Sequence, residues 1–331
     1  MQAQDTRSFA ELSELVATAA SLRMDALAAR TKAELDARGI DSILLKGPSF
    51  ARWLYEGGPA RLYTDADFLV SPADWDRARQ MMIELGYETE CAHFEHPQMG
   101  TMTSEGWMRG EDHVDLHCTL WGLAADPHVV WETLSRMTES MPVGGSILPV
   151  LSAPARTMHV ALHAAQHGES EDKTKQDLER AIAVVPLDLW SEAAGLAERL
   201  GALPEFAAGL RLVPAGLGIA GSLGLQELTS ADAELRVLQT PLASGFEHLA
   251  RTPGPIAKLR VLRSELFPTA SFLRWWHPLA THGRPGLAAA YVWRWMWLAR
   301  HGIPGLLAWR KARREASRSA AARSPAVAPR S

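Results

Sequence analysis

Cysteine is scarce in this chain, and its first residues carry no export signal. Cys91 and Cys118 are the two cysteines among 331 residues, too few for a disulfide framework or for a zinc site built from cysteine. A secretion signal needs a basic stretch followed by an apolar one, and neither is present in MQAQDTRSFAELSELV. We therefore expect a cytoplasmic protein.

Acidic and basic residues are unevenly distributed along the chain. The formal net charge is only −4. From residue 251 to the end, however, 15 Lys and Arg stand against 2 Asp and Glu, and six of the twelve tryptophans lie in the same stretch. Such an asymmetry indicates a partner surface in the C-terminal part and a separate acidic body.

The first half of the chain alternates short apolar runs with helical patterns. Gly39 ends a first helical pattern, and Pro48 and Pro72 suit the first positions of two later helices. The clearest later strand is His113–His117, whose alternation places Asp115 and His117 on one face. The predicted elements are helices over 9–38, from 48 to the glycines at 57 and 58, and over 72–85, with strands over 42–45, 61–70 and within 87–120.

The second half of the chain is predicted to be helical. Helical periodicity continues from Ala155 through four predicted helices, over 155–168, 174–185, 187–200 and 204–212. Residues 268–316 alternate proline and glycine breaks with aromatic and basic helical pieces. Residues 317–331 have low complexity, and we expect them to be disordered.

Two aspartates one residue apart form the strongest chemical motif. On a strand, Asp65 and Asp67 point to the same face, where their carboxylates can share divalent metal ions. Asp115, on a neighbouring predicted strand, is the natural third carboxylate. Such a group suits phosphoryl or nucleotidyl transfer, because metal ions there lower the pKa of an attacking hydroxyl and neutralise a leaving pyrophosphate.

Residues of the turn that follows the first predicted strand are candidates for phosphate binding. Lys46, Gly47 and Ser49 lie where a strand runs into a helix, and backbone N–H groups at such a turn attract phosphate. Arg61 is predicted either to pair with the carboxylates of Asp65 and Asp67 or to contact a triphosphate, the alternative being a salt bridge without ligand contact. His117 is expected either to orient a phosphate or carboxylate or to be a satisfied histidine at a domain interface.

The order of these motifs resembles one known family. The segments LLKGPSFARWLYEGGPARLYTDADFLV, ELGYE and VDLHCTLW look like the uncharacterised nucleotidyltransferase family of the polymerase-β-like nucleotidyltransferase superfamily. The resemblance extends over about 41–200 and includes His163, His167, Asp177 and Trp190. It implies an α+β fold, in which a small mixed sheet with helices on one side is followed by a mostly helical C-terminal half.

The resemblance also implies the site residues and the domain organisation. Asp65 and Asp67 match the paired metal ligands and Asp115 the third carboxylate of a two-metal site for Mg²⁺ or Mn²⁺, with an NTP as co-substrate. Gly47 and Ser49 match the phosphate-side turn, although Pro48 interrupts the usual pattern. We expect an N-terminal helical segment (1–38), a catalytic domain (39–150), a helical domain (151–265), a Trp/Arg-rich basic segment (266–316) and a tail (317–331).

The basic C-terminal segment has three candidate roles. Its most apolar piece, residues 287–300, is too short to span a bilayer and carries Arg294 at its centre. A helical cap on the acidic body is the first expectation, peripheral association with a membrane surface the second, and nucleic-acid contact the third. We therefore expect a cytoplasmic protein that can associate with a membrane surface through this segment.

The expected function is metal-dependent transfer of a nucleotide from an NTP to an unidentified acceptor. Lys46, Gly47, Ser49, Arg61 and His117 are the expected nucleotide-binding residues. A sugar, a peptide, a small molecule, a protein side chain and an RNA end are all compatible acceptors. The alternative is a non-catalytic nucleotide- or partner-binding module with the same fold.

Overall fold

The computed structural model describes residues 2–56, 58, 61–89, 104–238, 240 and 242–323. These residues form two compact units, and each is described separately below. The first unit contains the described residues of Met1–Glu90, Thr103–Val160 and Gln176–Ala202. The second contains those of Cys91–Met102, Ala161–Lys175 and Leu203–Ser331.

A seven-stranded mixed sheet is the centre of the first unit. Its strand order is β3-β4-β5-β2-β1-β7-β6. The β1–β7 and β2–β5 pairs are parallel, and the other neighbouring pairs are antiparallel. The strands are β1 (Ser42–Leu44), β2 (Ala66–Val70), β3 (Glu88–Thr89), β4 (Ser104–Arg109), β5 (Asp112–His117), β6 (Thr138–Val143) and β7 (Ser146–Leu151).

Two helices, α1 (Gln2–Ala37) and α3 (Trp75–Glu84), pack against the sheet. Their buried residues include Leu27 and Met81, which lie in one core cluster with Phe68 of β2 and Val114 of β5. Alternation along a strand then directs the flanking residues to the opposite face of the sheet. Asp67 and Asp115 are therefore on the face away from this cluster.

A tight hairpin joins β6 to β7. Gly144 and Gly145 both have positive φ, 56° and 81°, as a two-residue hairpin turn with matching twist requires. Val143 pairs with Ser146 across this turn. The sequence predicted neither this hairpin nor α4 (Pro127–Leu134), although a Gly-Gly pair between two alternating runs is a hairpin signal.

Four further helices follow β1 and β7. They are α2 (Pro48–Leu54), α5 (Ala153–His167), α6 (Asp172–Val184) and α7 (Leu187–Arg199). Pro48 is the first residue of α2, and Gly47 before it has φ 65°, a value that glycine adopts at no steric cost. This turn fixes the direction in which the chain leaves β1.

The rest of the second unit is helical. Its helices are α8 (Leu203–Leu210), α9 (Pro214–Ser222), α10 (Ala231–Leu238), α11 (Ala243–Arg251), α12 (Pro255–Leu266), α13 (Ala270–Trp276) and α14 (Gly283–Arg323). Helix α14 packs its Ala312 in a core with Leu235 and Ala243. Among the described residues, no helix is long and apolar enough to cross a membrane.

The predicted fold class is confirmed: a mixed sheet with helices precedes a large helical C-terminal half. Some boundaries differ from the expectation. Strand β2 begins at Ala66, not at residue 61. Helix α14 continues through Pro304 to Arg323 without the break that proline and glycine predicted there. Residues 324–331 of the expected tail and residues 90–103, within the expected strand region, lie outside the described residues.

Candidate active site

Strand register brings two of the three predicted carboxylates together. Strands β2 and β5 are parallel neighbours in which Asp67 is the Cα partner of Asp115 and Leu69 that of His117. Partner residues of parallel strands project to the same side of a sheet. Asp67, Asp115 and His117 consequently form a cluster in which one potential ligand atom from each lies within 4.8 Å of the others.

Asp67 is the most enclosed member of the cluster. It is 0% exposed. Its Oδ1 accepts a hydrogen bond from Lys46 Nζ at 2.8 Å and lies 3.0 Å from His117 Nε2. Its Oδ2 is buried, and no described residue forms a hydrogen bond with it. A buried oxygen of this kind is a ready ligand for a cation, because leaving it without a partner costs free energy.

Lys46 joins the cluster to Asp65. Its Nζ lies 3.5 Å from Asp65 Oδ2 as well as 2.8 Å from Asp67 Oδ1. Asp65 itself precedes β2 and is partly exposed. The predicted Asp-x-Asp pair is thus bridged by an ammonium group that comes from the turn after β1.

Opposite charges hold this ion pair in its ionised form. Burial alone would raise the pKa of Asp67, but the charge of Lys46 and the contact with His117 hold that pKa well below its usual range. Burial likewise disfavours the charged form of Lys46, yet Asp67 and Asp65 outweigh it and the pKa of Lys46 is raised. Both groups are charged at neutral pH.

Asp115 behaves differently from Asp67. Burial, together with the negative charge of Asp67, raises the pKa of Asp115 to about 6. A carboxyl whose ionised form is disfavoured gains from a nearby cation. Two carboxylates and an imidazole are ligands that suit a divalent metal ion. The chemistry of the residues present therefore fits a divalent metal, and Asp67 Oδ2 and Asp115 are the groups that would gain most from it.

The two other residues of the predicted phosphate turn occupy distinct environments. Gly47 has positive φ, and a Cβ at this position would lie 3.5 Å from the backbone oxygen of Asp65. Ser49 is fully buried, and its Oγ has no hydrogen-bond partner among the described residues. Gly47 therefore lies against the backbone of Asp65, whereas Ser49 is enclosed in the protein.

Arg61 is engaged by a residue that the sequence did not pair with it. Its guanidinium donates hydrogen bonds to both carboxylate oxygens of Asp177 on α6, with Nε and Nη2 at 2.8 Å and 2.7 Å from the nearest oxygens. Tyr55 Oη donates to the same carboxylate at 2.7 Å. Arg61 and Asp177 are both buried. Among the described residues, Arg61 thus forms its ion pair with Asp177 and not with Asp65 or Asp67, the carboxylates that the sequence predicted.

His159 lies near the cluster in a way the sequence did not predict. It is buried on α5, and its ring centroid lies 5.5 Å from that of Phe50. Burial, with further contributions from the charges of Lys46 and His117, lowers the pKa of His159 to about 3. A neutral histidine therefore borders the charged cluster. The sequence feature that pointed to it is its four-residue spacing from His163 and His167 on one predicted helix.

Comparisons with known proteins identify one family and several distantly similar structures. The model of a family described as "uncharacterised nucleotidyltransferase" matches residues 7–218. None of the curated proteins matches the chain. Among solved structures, the antibiotic-resistance factor ANT(2″)-Ia is similar at 16% identity over 54% of this chain and 94% of its own, with a TM-score of 0.40.

Two further solved structures are similar to parts of this chain, with lower TM-scores. The lincosamide antibiotic adenylyltransferase LnuA is 13% identical over 46% of this chain and 91% of its own, with a TM-score of 0.32. An antigenic nucleotidyltransferase-like protein from Paracoccidioides brasiliensis is 13% identical over 58% and 92%, with a TM-score of 0.32. The substrates of such distant structures indicate nothing about the acceptor of this chain.

Proposed function

Since the chain belongs to the uncharacterised nucleotidyltransferase family, we propose that it transfers a nucleotide from an NTP to an acceptor with the help of divalent metal, Mg²⁺ or Mn²⁺. The observation that supports this proposal most is the pairing of Asp67 with Asp115. This pairing places Asp67 Oδ2, a buried oxygen without a hydrogen-bond partner among the described residues, beside Asp115, whose pKa is raised.

Asp65, Asp67 and Asp115 are the proposed metal ligands, in the two-metal arrangement typical of this family. When bound, the metal supplies Lewis acidity that activates the acceptor hydroxyl and neutralises the departing pyrophosphate. Asp67 is already ionised in the folded protein. In the metal-free protein the pKa of Asp115 is raised to about 6, and its carboxylate is the proposed acceptor of the proton that leaves the acceptor hydroxyl.

Lys46 and His117 are the proposed partners of the nucleotide. The Lys46 ammonium lies at the edge of the carboxylate group, 3.5 Å from the partly exposed Asp65. A cation at this edge attracts an anionic triphosphate towards the metal ligands. His117 contacts Asp67 through Nε2, which orients that carboxylate. Gly47 lies against the backbone of Asp65, and Ser49 is buried in the first turn of α2.

Equilibrium binding of labelled NTP, with and without Mg²⁺ or Mn²⁺, tests the site. We expect metal-dependent binding by the native chain and its loss in Asp65→Ala with Asp67→Ala. The matched control is Asp76→Ala with Asp112→Ala. The side chain of Asp76 is 95% exposed. The side chain of Asp112 is 16% exposed and pairs with Arg23 and Arg109. Binding that persists unchanged in the first double variant would contradict the proposal.

A non-catalytic binding module is the second candidate. The feature that favours it is the neutralisation of Asp65 and Asp67 by Lys46, which reduces the pull of these carboxylates on a metal. Metal-dependent nucleotide binding without release of pyrophosphate in the presence of a cell extract would support the module. Release of pyrophosphate that depends on Asp67 supports the enzyme.

A further inference from the structure

Helix α12 of the second unit exposes an apolar stripe. Ile256, Leu259, Leu262 and Leu266 are 69%, 66%, 44% and 38% exposed. Their spacing of three and four residues places them on one side of the helix. Amphipathic helices of globular proteins normally bury such a stripe, so this one is available to a partner.

Helix α14 exposes a second apolar stripe. Val292, Met296, Ile303 and Leu307 are 52%, 60%, 71% and 58% exposed. Their separations of four, seven and four residues again place them on one side of the helix. The interior side of α14 is occupied by Ala290 and Ala312, which are fully buried in two cores of the same unit.

Contacts at the end of α12 connect the two stripes. Trp295 Nε1 donates a hydrogen bond to the backbone oxygen of Leu266 at 2.8 Å, and its ring centroid lies 5.8 Å from that of Phe267. Both aromatic rings are themselves exposed, at 45% and 59%. We call the two stripes and these two rings the outer C-terminal face.

The surroundings of this face are strongly basic. Residues 251–331 contain 15 Lys and Arg and only two acidic residues. Glu265 is paired with Arg294 at 2.8 Å, and Glu315 lies 3.8 Å from Lys311 one helical turn away. Arg260, Arg263 and Arg300 are exposed on the same helices. Arg251 and Arg313 also pair with Asp232 and Glu247 of α10 and α11, but the two acidic residues of the segment itself do not offset its basic excess.

We propose that the outer C-terminal face docks on the surface of a membrane that contains anionic lipids. Aliphatic side chains and tryptophan insert at the boundary of headgroups and acyl chains, while arginines bind the anionic headgroups. A second copy of the chain fits less well, because it would bring two basic faces together. Nucleic acid fits less well too, because most of the exposed side chains are aliphatic and do not stack on bases.

Cosedimentation of the full-length chain with lipid vesicles tests this proposal. The vesicles are phosphatidylcholine alone or phosphatidylcholine mixed with phosphatidylglycerol. We expect binding to the mixed vesicles that weakens as salt is added. Ile256→Ser with Leu259→Ser and Ile303→Ser with Leu307→Ser should each lower the apparent affinity at least about tenfold. These side chains are already exposed, so thermal unfolding should change little.

A matched variant controls for general loss of surface hydrophobicity. Val129→Ser with Ile147→Ser removes two apolar side chains of the first unit that are 49% and 66% exposed, and it should bind vesicles as the native chain does. Equal binding by all variants, or no binding to anionic vesicles, would overturn the proposal. The proposal would also be overturned if the native chain failed to bind vesicles but formed a stable dimer or bound RNA, and the serine variants abolished that association. Nucleotide binding is measured on the same samples, so the outcome is independent of the proposed activity.

Discussion

Asp67 and Asp115 are direct partners in adjacent parallel strands, yet they have opposite electrostatic characters. Lys46 and His117 stabilise the charge of Asp67, and its pKa lies well below the usual range despite complete burial. None of the described basic residues forms an ion pair with Asp115, and burial together with the charge of Asp67 raises its pKa to about 6. The pair thus joins a carboxylate that is permanently charged to one that changes charge near neutrality.

Metal affinity should depend on pH through Asp115. Below pH 6 its carboxyl is protonated, and a metal ion must displace that proton in order to bind. We expect the apparent affinity for Mn²⁺ to rise up to about tenfold per pH unit below this pKa and to level off above about pH 7. Titration calorimetry with Mn²⁺, repeated across this pH range, measures the affinity. Asp115→Asn should bind more weakly and lose this slope, whereas a constant native affinity across the range would argue against ligation by Asp115.

Removing the charge of Lys46 should destabilise the metal-free protein. Lys46→Met leaves the buried Asp67 carboxylate without its counter-ion, a change that costs about 3–5 kcal/mol in comparable buried pairs. Denaturant unfolding measures the free energy. Mg²⁺ should restore more stability to this variant than to the native chain, because the metal takes over the neutralisation.

Lys175→Met is the control for this variant. Lys175 pairs with Asp172, whose side chain is 96% exposed, and loss of such a surface pair costs under about 1 kcal/mol. Equal stability of Lys46→Met and the native chain without metal would show that Asp67 is not held as an anion by Lys46.

Arg61 should contribute to stability and not to nucleotide affinity. Its ion pair with Asp177 is buried, so Arg61→Met should lower the free energy of unfolding by about 3–5 kcal/mol. Combining it with Asp177→Leu should cost less than the sum of the two single changes, since neither charge is then left alone. Denaturant unfolding and nucleotide titration of the folded variant measure the two effects. A loss of nucleotide affinity with unchanged stability would instead assign Arg61 to the triphosphate.

Local sequence patterns were sufficient to predict the strand positions of the carboxylates, but not to predict which residues contact them. Alternation around Asp67 and Asp115 placed each on a strand, because period-two patterning is a local property. Their direct pairing depends on the order of strands in the sheet, which no local pattern contains. The partner of Arg61 lies 116 residues away in sequence, and the resemblance included Asp177 without indicating what it contacts.

Tertiary packing accounts for the helical differences. Gly302, Pro304 and Gly305 predicted a break, yet α14 continues through them. A proline removes one backbone donor and disfavours the helix by a few kcal/mol, an amount that packing along both halves of the helix can offset. That packing includes Ala290 and Ala312, on either side of the proline. Strand β2 is shorter than predicted because its pairing with β5 begins at Ala66 and its pairing with β1 at Phe68. Before it, Arg61 forms an ion pair with Asp177 and Asp65 forms one with Lys46.

Transfer of label from an NTP tests the central proposal most directly. The native chain is incubated with α-labelled or γ-labelled NTP, Mg²⁺ or Mn²⁺, and a cell extract that supplies acceptors. The proposal predicts that α-label becomes attached to an acceptor, that γ-label appears in pyrophosphate, and that Asp67→Asn abolishes both while Asp112→Asn does not. Absence of α-label transfer with every NTP, or transfer that persists in Asp67→Asn, would contradict it.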